Sequence, residues 1–145
     1  MVIKQLDISY KEELAAIDKI CMHVPWTEGM FENELSNNAT CYVGIFIDNT
    51  IAGYGGMWLV CDEAQITNIA VLPEFQKQGF GNAVLNELIK RAKNANIMTL
   101  EVRESNKPAI RLYEKNGFSA DGLRKNYYKN PTENAVLMSL HIKSE

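Results

Sequence analysis

Residues 65–93 constrain this chain more tightly than any other stretch. Gln65 to Leu72 reads as a β-branched-rich strand, and Pro73 stops it because proline has no N–H to give to a ladder. The loop Gln76-Lys77-Gln78-Gly79-Phe80-Gly81 comes next. From Gly81 to about Lys93, Val84, Leu85, Leu88, Ile89 and Ala92 recur at the spacing of a long amphipathic helix. Met98 to Val102 then reads as another strand, so the stretch is a strand, helix, strand crossover in the middle of a sheet.

The flanking sequence supplies the rest of that sheet. Val2 to Leu6 reads as a short strand, and a first helix starts near Tyr10, with Leu14, Ile17 and Cys21 at helical intervals. Thr27 is placed to cap a second helix carrying Met30, Phe31 and Leu35. Cys41 to Ile47 and Ile51 to Val60 read as strands joined by Asp48-Asn49, a pair suited to a tight hairpin. Beyond the crossover, Pro108 fits the first turn of a helix that includes Ala109, Leu112 and Tyr113, and Gly117 sits where a left-handed cap belongs. Phe118 to Tyr128 and Ala135 to Ile142 form a closing pair of strands about Asn130-Pro131. The class is therefore α+β, with a mixed, largely antiparallel sheet of about seven strands and about four helices.

Composition narrows the function. At 145 residues, 46% hydrophobic and 23% charged, the sequence reads as one domain over residues 1–145 with an ordinary core. A net charge of −3 gives no diffuse grip on nucleic acid or an anionic membrane. Apolar runs such as Ile69-Ala70-Val71-Leu72 break long before the roughly 20 residues a membrane span needs. The first residues lack a basic segment followed by an apolar one, so a cytoplasmic location is expected. Cys21, Cys41 and Cys61 are an odd count at wide spacing, read as free thiols that pack, and neither His23 nor His141 completes a metal set.

The glycine loop can hold a phosphate. A helix N-terminus presents unpartnered N–H groups and partial positive charge, and glycine lets an anion approach the backbone. Gly79 and Gly81 could equally do no more than shape a turn. No Lys-Ser or Lys-Thr follows them, which argues against a nucleotide-hydrolysing loop. Val84 occupies the position where a dinucleotide fingerprint needs a small residue.

What the loop does match is the [QR]-x-x-G-x-[GA] signature, and the surrounding text agrees. Asn68-Ile69-Ala70-Val71-Leu72-Pro73 precedes it and Leu100-Glu101-Val102-Arg103 follows. Then come Ser105-Asn106, Ala109 to Glu114, Asn116-Gly117-Phe118 and Arg124-Lys125-Asn126-Tyr127-Tyr128. Across essentially the whole chain this series resembles the GNAT-superfamily N-acetyltransferases, and within them the RimI-type branch that acetylates the N-terminal alanine of a small-subunit ribosomal protein. The resemblance implies the GNAT fold and acetyl-CoA as cosubstrate, with no metal. It implies that acetyl-CoA lies along Ile69, Ala70 and Val71, where two strands splay apart and a nearby backbone N–H holds the oxyanion. Its pyrophosphate would meet Gln76, Lys77, Gln78, Gly79, Phe80, Gly81 and Asn82. Gln76 stands where many relatives carry Arg, which leaves more of the binding to backbone donors.

Three further residues carry candidate chemistry. Glu101 interrupts a strand expected to be central and apolar on both faces, so it must be paired, hydrated by a cleft, or functional. Arg103, two residues along on the same face, is the obvious partner. The resemblance instead makes Glu101 the general base. Tyr113 stands seven positions after Asn106, so both can point along one side of a helix, although Asn106 could be only a cap and Tyr113 only core. In the family this Tyr protonates the leaving CoA thiolate and the Asn bonds the cofactor. Trp26, Tyr127 and Tyr128 lie in or beside irregular segments, as rim packing or as contacts for an acceptor peptide, and the resemblance favours Tyr128. Transfer to lysine side chains or small amines, and a non-catalytic acyl-CoA-binding module, are the competing readings.

Overall fold

The computed structural model describes residues 1–142, so the last three residues of the expected domain lie outside the described residues. β1 (Val2–Gln5) leads through a 3-10 turn into α1 (Lys11–Cys21) and α2 (Glu28–Leu35). The meander β2 (Thr40–Ile47), β3 (Thr50–Val60) and β4 (Glu63–Val71) follows, and α3 (Phe80–Arg91) crosses to β5 (Ile97–Arg103). α4 (Lys107–Lys115) precedes β6 (Ser119–Tyr128) and β7 (Glu133–His141). The seven strands form one sheet in the order β1-β2-β3-β4-β5-β7-β6. Only β4 and β5 pair in parallel, as a crossover connection requires.

Local chemistry accounts for the joints. Asp48 and Asn49 both take positive φ, 49° and 67°, matching the right-handed twist of the hairpin they close. Thr27 caps α2 by accepting from the Met30 N–H at 3.2 Å. Gly117, at φ 99°, ends α4 in a conformation that costs a side-chain-bearing residue. Between β3 and β4 the register shifts, with Gly56 opposite Asn68 and Met57 opposite Ile66, so Thr67 is an extra bulged residue.

Two layers bury the sheet. α3 covers one face with Val84, Leu85 and Leu88, packed among Val43, Ile45, Met57, Met98 and Leu100. α1 and α2 cover the other with Leu14, Ile17 and Phe31 against Tyr42, Phe46 and Tyr54. β5 departs from the expectation of burial on both faces: Met98, Leu100 and Val102 are buried, whereas Ile97, Thr99, Glu101 and Arg103 are only half-buried. The reason is reach, because the α1 and α2 cluster extends no farther than Ala70 and Leu72 at the β4 end and leaves that face of β5 open. Among the described residues no helix is long and apolar enough to cross a membrane.

Candidate active site

The open face begins where two strands part. β4 and β5 pair only as Glu63 with Ile97, Ala64 with Met98 and Gln65 with Thr99. Past that point each backbone must find other partners. The Leu72 N–H donates to Ala52 C=O at 2.9 Å, so by antiparallel alternation Leu72 and Ala70 turn toward β3. Ile69 and Val71 therefore turn their backbone groups into the gap. The Val71 carbonyl accepts from Gln76 Nε2 at 2.9 Å and from the Cys21 thiol at 3.5 Å. The N–H groups of Ile69 and Val71 and the Ile69 carbonyl face the opening, while the Ala70 side chain is buried beneath α1.

Beyond Val71 the chain turns through the glycine loop into α3. Lys77 (φ 63°) and Gly79 (φ 85°) are both left-handed, which swings the backbone round to start the helix. The first N–H bonded within the helix is that of Ala83, which donates to Gly79 C=O at 3.0 Å, so those of Phe80, Gly81 and Asn82 point out of its end. The loop's polar side chains serve its own shape. Gln76 is tied to Val71, Gln78 donates to Glu74 C=O at 3.2 Å, and Asn82 Oδ1 accepts from Asn116 at 2.8 Å. Backbone donors are what this helix end offers an anion. A Cβ at Gly79 would meet open space but at the wrong φ, and a left-handed conformation costs an ordinary residue roughly 1–2 kcal/mol. Gly79→Val is therefore expected to fold, abandon the loop geometry and raise the Kd for acetyl-CoA about tenfold or more. Titration calorimetry checks this, and an unchanged Kd would remove the phosphate assignment.

The gap opens into a cavity of about 940 Å³ whose walls include Ile69, Glu101, Asn106, Tyr113 and Tyr128. The loop from Gln76 to Asn82 lies outside it, past the end of β4. Glu101 Oε1 accepts a long 3.4 Å bond from Gln65, whereas buried Oε2 has no hydrogen-bond partner among the described residues. Arg124, over half exposed, stands 3.7 Å from Oε2. The alternative pairing of Glu101 with Arg103 does not occur. Arg103 instead meets Glu133 at 3.3 Å and donates to the carbonyls of Pro131 and Lys129, because β7 and its turn lie closer than the same-strand carboxylate.

Tyr113 is 8% exposed, and its hydroxyl bonds to no other described residue. Burial, then neighbouring Tyr128, pushes its phenol up to about 12. Tyr128 is pushed up to about 12 by burial and then by Glu101, and the Arg103 guanidinium lies 4.6 Å over its ring. Asn106 is the N-cap of α4, accepting from Ala109 N–H at 3.3 Å, and also borders the cavity. Tyr127 and Tyr128 end strand β6, as the strand expected over Phe118 to Tyr128 requires, beyond a register shift at Asn126 (φ 53°). They meet edge to face at 5.1 Å.

Residues 11–118 match the acetyltransferase (GNAT) family. The chain belongs to that family. The crystal structure of the ribosomal-protein-S18-alanine N-acetyltransferase from Escherichia coli superposes on this GNAT protein with a TM-score of 0.93 and 32% identity. That comparison covers 99% of this chain and 95% of the other. The ribosomal protein bS18-alanine N-acetyltransferase of Haemophilus influenzae is 38% identical over 148 residues, 97% of this chain and 99% of its own. The fold is accordingly the GNAT fold, and this acetyltransferase uses acetyl-CoA as cosubstrate.

The GNAT site also contains residues that sequence reading passed over. Asp18 borders the same cavity beside Trp26 and Asn68, and Tyr54 lies buried behind it. Asp18 sat in a helical pattern as one more polar residue, and Tyr54 as one more strand aromatic. The available signal was a carboxylate one residue after Ile17, on the edge of the buried stripe of α1.

Proposed function

We propose that this GNAT enzyme acetylates the α-amine of a protein N-terminus, specifically the N-terminal alanine of ribosomal protein bS18, in the cytoplasm. One N-acetyltransferase domain over residues 1–145 carries the activity. The supporting observation is the convergence of Glu101 and Tyr113 on one cavity beside the parted strands, in a chain whose full-length relatives bear that activity in their names.

The chemistry follows from what each group can hold. An α-amine of pKa near 7.7–8.0 is roughly one-tenth neutral at pH 7, whereas a lysine near 10.4 is neutral in well under a thousandth. A modest base suffices for the first. The extended backbone at Ile69 and Val71 supplies donors and an acceptor to the amides of the acetyl-CoA arm, and one of those N–H groups faces the thioester oxygen. The N–H groups at the start of α3 hold the pyrophosphate. Glu101 removes the amine proton as the nitrogen bonds the acetyl carbon. As the carbon–sulfur bond breaks, the Tyr113 hydroxyl donates to the sulfur. Asn106 borders the cofactor arm and Tyr128 the acceptor peptide. No acetyl group is carried by the enzyme.

The test uses peptides with the first residues of bS18. Mass spectrometry should find one acetyl group on the N-terminal residue of the free peptide and none on a copy whose N-terminus is blocked but whose lysines are free. Acetylated lysine in the blocked copy would replace the proposed acceptor with side-chain amines.

A further inference from the structure

Among the described residues Asp18 is the only acidic or basic residue that is fully buried, at 1% exposure, and the reaction above leaves it unused. No cation stands within ion-pair distance of it among the described residues. A buried carboxylate without a counter-ion must be held by hydrogen bonds, and Asp18 has them on both oxygens. Oδ1 accepts from the Tyr54 hydroxyl, and Oδ2 accepts from the Trp26 backbone N–H at 3.1 Å. Burial pushes its carboxyl up, against the opposing pull of these two donors.

The two bonds lead to opposite walls of the cavity. On one side, the Asp18 backbone carbonyl accepts from the Met22 N–H at 2.8 Å while its side chain holds Trp26. Asp18 thus brackets both ends of the connection between α1 and α2, which gives Met22, His23, Val24 and Trp26 to the cavity wall. On the other side, the Tyr54 oxygen accepts from Asn68 Nδ2 at 2.9 Å. Asn68 lies on β4 between bulged Thr67 and Ile69, where the strands have parted. Tyr54 cannot swing away, because Phe31 meets its ring edge-on at 5.6 Å and Tyr42 stacks on it at 6.3 Å.

We propose that Asp18 is a positioning residue for the acceptor, locking the Met22–Trp26 wall to β4 through Tyr54 and Asn68. The amine is thereby presented at a fixed distance from the strand that carries the thioester. This rests on the reading that a peptide N-terminus enters the cavity beside that wall. A wall freed from β4 must be ordered again each time the peptide binds, so a loosening here weakens acceptor binding and raises the peptide KM.

Asp18→Asn and Tyr54→Phe test the proposal, the second preserving the packed ring. Each is expected to raise the KM for the alanine peptide about tenfold and to leave the KM for acetyl-CoA within about twofold. The double variant should be no worse than the poorer single one, because both break the same connection. A merely structural role would lower the active fraction and hence kcat, leaving both KM values in place. An unchanged peptide KM in folded Tyr54→Phe, or equal rises in both KM values, would overturn the proposal, whether or not Asp18→Asn folds. A second readout needs no acceptor. Trp26 and Trp58 are the only tryptophans, so in a Trp58→Phe background the emission reports Trp26 alone. Asp18→Asn or Tyr54→Phe should shift that emission to the red, and an unshifted spectrum in both overturns the proposal. Wild-type protein that leaves the peptide unmodified would sink the acceptor reading instead, and the Trp26 emission would then decide the role of Asp18.

Discussion

Replacing Glu101 by Gln should lower kcat by about 10²–10⁴-fold while the KM for acetyl-CoA stays within about twofold. The size of the loss identifies the step. Supplying neutral amine from a pool already one-tenth neutral at pH 7 is worth at most about tenfold. A larger loss requires that Glu101 accept the proton during bond formation. The deficit should then persist at pH 9, where the amine is neutral without help. Recovery of the rate at pH 9 would reduce Glu101 to a group that only deprotonates the incoming substrate. Steady-state rates at the two pH values decide between these.

Stability separates this role from a purely structural one. An Arg103 pair on the same strand would have made Glu101 a structural ion-pair partner, whose loss lowers stability and leaves the rate per folded molecule unchanged. The actual neighbours are an over-half-exposed Arg124 at 3.7 Å and a long bond from Gln65. A pair this long whose cation is solvated contributes roughly 0–1 kcal/mol. Glu101→Gln should therefore move Tm by no more than about 3 °C. Neutralising a buried oxygen that lacks a hydrogen-bond partner relieves a desolvation cost, so a small rise in Tm is compatible with the site. A group whose removal leaves the fold intact and abolishes turnover is held there for chemistry.

Residue order carried much of this because local rules govern much of it. Asp48-Asn49 can close a hairpin only with positive φ, Pro108 fits only the start of a helix, and the 3.6-residue stripe from Val84 to Ala92 needs a sheet to lie on. Glu101 was visible because a carboxylate in the strand after a crossover conflicts with burial. What stayed hidden is cross-strand and long-range. Arg103 finds Glu133 across the β5–β7 pairing, some 30 residues away, and no two-residue alternation can anticipate that choice. The Asp18, Tyr54 and Asn68 connection joins a helix to two strands over a span of 50 residues. Gln76 looked like a weak phosphate ligand from its place in the loop. Its contact with the Val71 carbonyl emerges only once the loop folds back on β4. The resemblance to the family named candidate residues for the site, and the local physics of one strand or helix at a time could not have brought them together.

Tyr113→Phe should lower kcat about 10²-fold with little change in the KM for acetyl-CoA, because the ring still packs edge to face on Phe118 at 5.6 Å. The magnitude follows from the phenol's environment. Burial holds Tyr113 near 12, so it keeps its proton throughout the working range, and its contribution should not vary between pH 6 and pH 10. An alkyl thiol is more acidic than a phenol near 12, so complete transfer of that proton to the departing sulfur runs uphill, by about a hundredfold or more. In the proposed reaction the sulfur would therefore be stabilised mainly by a hydrogen bond that strengthens as negative charge accumulates, the kind of donor whose removal costs about 10²–10³-fold. Two thioesters distinguish this from a core role. With a more acidic thiol less charge needs support at the same stage, so the penalty for Tyr113→Phe should shrink. A core tyrosine predicts near-normal rates with both thioesters. Equal losses with both would mean that Tyr113 fixes the position of the acetyl group without touching the sulfur.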